Sequence, residues 1–539
     1  MRKLGPIFWI LSLAFILRVT GLGFGLPYPT HQDEPIVVNH ALAYASGDWN
    51  PHFFKIPPLT SYLLFAVYGI FYGILHFFLG WNVERFAGLF FADPSAFYVL
   101  ARLVFGAILG TCSVAVLYRL AEKALSPRAA LVSALFFAVS FLHVRDSHYV
   151  YADIPMILAM LLVFCALLED RALKAGFWLG VAVAFKYIAA PLSVCIFWAF
   201  RRDPKKWFLA AVMSVATYAL FNPYSFLDWS FFCKEIQAQA GAESASGLSH
   251  HLLYSLFGGQ GTPMVLLGLA GLFLFFKNKA EFRFLALFPL LWYAVIAVFS
   301  QNYERYALPM APFLCLFAAY GVEQAAKKMH EKQAAVLIFI CLVIPLAKSV
   351  YLDWLATRPD TRRAAEVWMS ENLPEGSVVA VNQPFFSPRL SQADAQWREK
   401  EARISIFDPQ YALKKKKLAL MQAAAKNHKR FNVFYLRNQK DAEPSFSTWS
   451  PWMEIGEESF RKAGVGYVVR YRFEEEDGVL EDILRRRGQL FKVFSPYFSS
   501  EKKETADHFS QVGLPFLSRE LFSRKAPGPY LELYKISSA

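Results

Sequence analysis

Asp33 and Glu34 stand side by side before Pro35, with His31 two residues earlier. A carboxylate at a helix start is held ionised by the helix dipole and can act as a general base toward a hydroxyl. The same residue can be an ordinary helix cap, and Asp33 admits both readings. Pro35, with Ile36, Val37, His40, Ala41 and Tyr44 on one face, predicts a helix from about Pro35 to Ala45. Further candidates are Lys55 before Ile56-Pro57-Pro58, the cluster His143, Arg145, Asp146 and His148 ahead of Asp153, then Lys186, and Glu304 with Arg305 and Tyr306. Lys55, Lys186 and Arg305 are cations in apolar surroundings, matched to a phosphate, Arg305 by a bidentate fork. Snorkelling to lipid headgroups is the competing reading for the lysines, and an N-cap that for Asp153. Asp33, Asp153 and His148 are the candidate ligands of a divalent metal ion, although no spacing among them is a metal motif and the sequence fixes no cofactor.

Such charges need a frame, and the composition says which. The 539 residues are 55% hydrophobic and 17% aromatic, a surplus that lipid must solvate. Apolar stretches long enough to cross a bilayer recur from Ile7 to about Leu352 and then stop. The expected architecture is therefore an all-α polytopic membrane domain over residues 1–352 and a small mixed α/β domain over 353–539. The net charge of +13 falls largely in short loops between apolar runs, so it reads as topogenic and excludes a nucleic-acid partner. The six cysteines form no C-x-x-C pair, which argues against a disulfide framework or zinc cluster. Ile7 to Phe24 follows Arg2 and Lys3 without a small-x-small cleavage pattern and reads as a retained anchor.

Loop charge orders the crossings. Arg2 and Lys3 place the start inside; the basic loops at 119–128, 171–174, 201–206, 277–283 and 327–332 face the same side, and His143 to Tyr151 turns outside. Parity then forbids Leu59 to Leu79 from being one complete crossing, so it is expected as a juxtamembrane or re-entrant helix. Gly176 to Phe200 is expected as a hairpin turning near Lys186 to Pro191. The total is about eleven crossings, which puts the C-terminal domain outside. That domain is expected to have helices at Asp360–Asn372 and Lys414–His428 and strands at Ser377–Val381, Phe431–Leu436, Gly466–Phe473 and Tyr530–Ile536. The absence of an N-x-[ST] sequon favours a bacterial cytoplasmic membrane. An ionisable group in the hydrocarbon region costs about 2.5–3.5 kcal/mol on insertion scales, yet all the candidate residues fall at the outer ends of apolar runs. An enclosed outward-facing polar site accounts for them together.

At these residues the sequence resembles a family. HQDEP at His31–Pro35 and DWNPHFFKIPPL at Asp48–Leu59 look like the first outer loop of the C-type fold membrane glycosyltransferases of the protein O-mannosyltransferase and aminoarabinose transferase kind. Arg145 followed by YADIP at Tyr151–Pro155, Gly180 to Lys186, RYALPMAPF at Arg305–Phe313, and DTRRAAEVW at Asp360–Trp368 agree in order. The family more usually has Pro where Gln32 stands. The resemblance implies a polyprenyl-phosphate-linked sugar as donor, a hydroxyl acceptor of unspecified kind and inverting transfer. By resemblance Asp33 is the catalytic base with Glu34 in support. Lys55 and Asp153 line the site by the same resemblance, and Lys186 and Arg305 approach the carrier phosphate; Arg145, His148 and Tyr306 are read beside them as further substrate-binding candidates. A transporter or lipid flippase using the same charges is the rival reading. Against it stand the large outer domain, the lack of detectable halves, and charges gathered at one face.

Overall fold

The computed structural model describes residues 5–27, 29, 31, 33–240, 247–298, 303–382, 386–402, 411–425, 429–437, 451–471, 478–499 and 517–537. The chain is mostly helical up to Asn372, and among the described residues five helices, against about eleven expected crossings, are long and apolar enough to cross a membrane. They are Leu59–Leu79, Ser95–Ala124, Ala280–Ala297, Glu304–Ala326 and the run that starts at Glu331. A sixth is formed if Leu248–Gln260 and Thr262–Asn278, bent by 112° at Gly261, count as one. Gly261 holds φ +84°, a conformation that a residue with a Cβ rarely adopts. Shorter apolar helices lie at Pro6–Val19, Pro127–Ala138, Asp153–Leu168, Ala172–Phe185 and Tyr187–Phe200.

Leu59–Leu79 is one unbroken 21-residue helix, so the re-entrant form of its expectation does not hold. Its packing differs from that of a core span. Only about a tenth of its apolar window is buried, and its midpoint meets the start of the next long helix, where Tyr68 Oη donates to the Phe97 carbonyl at 3.2 Å. The amphipathic helix Val83–Ala92 follows, carrying apolar Phe86, Leu89 and Phe90 beside Glu84 and Arg85. It is capped by Asn82 and ion-paired through Glu84 to Lys416 at 2.7 Å. Elsewhere the helices press closely where glycine permits. A Cβ on Gly176 would stand 2.2 Å from the Ala210 carbonyl oxygen, and one on Gly180 2.6 Å from the Thr217 Cβ, which locks Ala172–Phe185 onto Pro204–Phe221.

The expected small α/β unit is present. Its sheet consists of β1 (Val378–Val381), β2 (Ser391–Gln392), β3 (Arg430–Arg437), β4 (Trp452–Glu454), β5 (Tyr467–Tyr471), β6 (Gly488–Phe494) and β7 (Leu531–Ile536). The order is β2-β3-β1-β5-β7-β6, with β4 also on β3. β2, β3, β1 and β5 run parallel, and β7 is antiparallel between β5 and β6. Thr361–Asn372, capped by Asp360, and Tyr411–Ala425 match the expected helices; residues 426–428 and 472–473 lie outside the described ones. β2, β4 and β6 were not expected. β2 and β4 are too short to show alternation, and β6 is exposed over most of its length.

Candidate active site

Asp33 precedes the helix Glu34–Ala43 but makes no side-chain cap. Its carboxylate instead reaches Arg305 Nη2 at 3.1 Å. Arg305 comes from the 3₁₀ stretch Glu304–Met310, far along the chain, and its side chain is buried. Asp153, the first residue of Asp153–Leu168, likewise makes no cap. It accepts from Lys186 Nζ at 2.7 Å. Lys186 is the extended residue that ends Ala172–Phe185, and its partner is a carboxylate rather than a headgroup. The cap and snorkelling readings of these three residues therefore give way to two largely enclosed carboxylate–cation pairs.

Tyr151 joins the pairs. Lys186 Nζ lies 5.1 Å from its ring centroid and the Arg305 guanidinium 5.2 Å, so one aromatic ring contacts both cations. Tyr306 is 5.7 Å from Lys186 Nζ, and Tyr303 is 4.5 Å from the Arg305 guanidinium. His31 Nδ1 accepts the Asp33 backbone N–H at 3.1 Å, and its Nε2 lies 3.3 Å from Arg305 Nη1. Burial pushes the His31 imidazole down to about 3, against the pull of Asp33, so the ring is neutral. Burial also draws the Lys186 ammonium below its ordinary value, against Asp153. Among the described residues, Arg305 Nε and Asp153 Oδ2 are buried without a hydrogen-bond partner. Two cations thus converge beside two carboxylates around one aromatic ring.

Other expected site residues lie elsewhere. The Glu34 side chain does not join that of Asp33. It is fully buried in a bidentate pair with Arg102 (2.8 and 2.7 Å) and accepts the Val150 N–H at 3.0 Å. Arg102 opens a π-helical turn, Arg102–Ile108, and also holds the carbonyls of Leu22 and Phe24 at 2.6 and 3.0 Å. This knot joins the first loop to the Ser95–Ala124 helix. Gly106 in the same turn lets the Ser147 carbonyl approach so closely that a Cβ would sit 1.9 Å from it.

Arg145 is fully buried and held by Asp146, at 2.7 and 2.9 Å, and by Glu304. His148 turns its ring nitrogens to the carbonyls of Val144 and Thr20 at 2.8 and 2.9 Å, with Asp353 at 3.5 Å. Lys55 is exposed on its loop. Among the described residues no group of three or more His, Cys, Asp or Glu side chains is arranged to hold a metal ion. Asp33 and Asp153 are engaged by cations and His148 by carbonyls, so the expected metal donors do not converge. Tyr151 and Tyr303 were not read as site residues; only their place next to Asp153 and Arg305 in sequence could have pointed to them.

Residues 86–226 match the family model for dolichyl-phosphate-mannose-protein mannosyltransferase. The match covers about a quarter of the chain, including Arg145, Asp153 and Lys186, and meets the resemblance seen in the motifs. Similar solved structures include ArnT from Cupriavidus metallidurans bound to undecaprenyl phosphate, at 13% identity over 86% of this chain and 92% of that chain, TM-score 0.48. The apo oligosaccharyltransferase of Archaeoglobus fulgidus is 14% identical over 86% and 69%, TM-score 0.46. The Pmt1-Pmt2 protein O-mannosyltransferase complex of S. cerevisiae, bound to the sugar donor, is 22% identical over 44% and 34%, TM-score 0.30. No curated protein matches the chain.

Proposed function

We propose that this chain is a multi-pass membrane glycosyltransferase that moves a sugar from a polyprenyl-phosphate carrier to a hydroxyl acceptor at the extracytoplasmic face, with inversion. The observation that carries the reading is the meeting of Asp33 with Arg305, and of Asp153 with Lys186, around Tyr151. The family model over 86–226 supports it. Loop charge, with about eleven crossings, supports residues 353–539 lying outside as a second domain.

In this reading Asp33 takes the acceptor's proton as the oxygen attacks the anomeric carbon. The bond from that carbon to the carrier phosphate breaks on the opposite side. Asp33 becomes neutral as the departing phosphate gains a charge, so the pocket's total charge is unchanged. Arg305, freed from its carboxylate, and Lys186 stabilise the new charge. Arg305 Nε, buried without a partner among the described residues, supplies a further donor. No step is routed through a metal, because the donor set does not fit one. Glu34, Arg145 and His148 hold the frame.

The test is transfer from a polyprenyl-phosphate sugar by purified wild type and D33N, together with release of free polyprenyl phosphate. The reading requires both to fall by roughly 10²- to 10⁴-fold in a variant that still inserts and melts as a folded protein. Equal rates would remove Asp33 as base. Ion-coupled uptake in proteoliposomes without carrier lipid would favour a transporter instead.

A further inference from the structure

Glu304 precedes Arg305 in the same 3₁₀ stretch and is itself buried, at 1% exposure. A buried carboxylate requires donors. Arg145 is one; Ser518, from the far end of the chain, is another. The Ser518 backbone N–H points at both Glu304 oxygens, at 3.2 and 3.3 Å, and Ser518 Oγ donates to Oε1 at 2.6 Å, with the Tyr254 carbonyl at 3.2 Å as the alternative acceptor. The Ser518 carbonyl in turn accepts from Lys348 Nζ at 2.8 Å. A Cβ on Gly258 would stand 3.2 Å from Ser518 Oγ, so the fit is tight. Six residues on, Tyr351 Oη donates to the Arg524 carbonyl at 2.6 Å. The segment from Leu517 to Arg524 is thus seated among the membrane helices, although it belongs to the C-terminal unit.

We propose that Ser518 is a positioning residue for the cation side of the site, fixing the Glu304 carboxylate and through it the peptide from which Arg305 reaches Asp33. The inference rests on the carrier-phosphate reading above. It makes the C-terminal unit a working part of the site rather than an appended module. Removing the hydroxyl takes from Glu304 its 2.6 Å donor, so the carboxylate settles toward Arg145 and the Arg305 guanidinium moves with its backbone.

The experiment titrates undecaprenyl phosphate into the full-length protein in nanodiscs, comparing wild type with S518A, S518T, Y351F and R305A, and repeats the series as steady-state kinetics. S518A is expected to raise Kd, and KM for the lipid-linked donor, about tenfold with kcat within about twofold. S518T, which keeps the hydroxyl, restores wild-type binding. Y351F, which loosens the same segment without touching Glu304, leaves binding unchanged. Wild-type affinity in S518A alongside loss in R305A would overturn the role of Ser518 alone. Failure to rescue by an S518T variant that melts with the wild type, or equal losses in Y351F and S518A, would also overturn it. Unchanged affinity in R305A would instead bring down the phosphate reading, and this inference with it.

Discussion

Replacing Asp33 by Asn should move catalysis and carrier binding in opposite directions. In the resting site the Asp33 carboxylate lies 3.1 Å from Arg305, and the two side chains are 14% and 7% exposed. At an effective dielectric of about 20, unit charges at that separation attract by roughly 5 kcal/mol before desolvation is counted. An incoming phosphate must compete with that carboxylate for the guanidinium and also meets its charge, a repulsion on the order of 2–3 kcal/mol at about 6 Å. Screening at a site open to the carrier reduces both. The net gain on neutralising Asp33 should be about 1–2 kcal/mol, or undecaprenyl phosphate binding tighter by roughly 5- to 30-fold. The same substitution removes the base and lowers transfer by roughly 10²- to 10⁴-fold. Isothermal titration in nanodiscs and initial transfer rates on the same preparation give both numbers, with a melting curve to confirm folding. A folded D33N that binds the carrier more weakly than wild type would refute the reasoning, since Asp33 would then not stand between Arg305 and the phosphate.

Lys186→Met should raise KM for the donor by roughly 10- to 100-fold through loss of a charged donor and also destabilise, because Asp153 keeps a buried charge. The double variant K186M/D153N should recover stability without recovering donor affinity, and recovery of both would place the phosphate elsewhere. Glu34→Gln should unfold the protein rather than inactivate it, by about 3–5 kcal/mol, since Arg102 loses its buried counter-charge; a stably folded but inactive E34Q would show that Glu34 acts in the chemistry. The His31 imidazole, pushed down to about 3 by burial, resists protonation only in the folded state. Its contribution is therefore constant above the unfolded value of about 6.5 and is lost as pH falls below it, by about 2 kcal/mol at pH 5. Melting at pH 7.5 and pH 5 should show a smaller acid loss in H31N than in wild type, and equal losses would contradict the assignment.

The helical character of the first part was legible because apolar runs alternate with basic loops, but the count was not: about eleven crossings were expected, and five or six helices among the described residues are long and apolar enough to span. Asp33, Asp153, Lys186 and Arg305 were legible because an ionisable residue at the end of such a run is costly and needs a reason. Composition could not say which partner each would find. Glu34 and Asp33 are adjacent, yet one turns into a closed knot with Arg102 and the other into the site; only the π-helical turn at Arg102 and the approach of Val150 decide between them. His148 and Arg145 lie in the same charged loop, but their partners Thr20 and Glu304 are distant in sequence. Ser518 was invisible for the same reason. A serine outside any periodic element has no local signal, and its importance comes from a carboxylate 214 residues away.

The central claim is tested most directly by complementing a deletion strain with wild type or D33N and comparing cell-envelope glycans and carrier lipids. The account predicts that a sugar modification missing from the deletion returns with wild type but not with D33N, while the lipid-linked sugar donor accumulates. Full restoration by D33N, or glycans unchanged by the deletion, would contradict it.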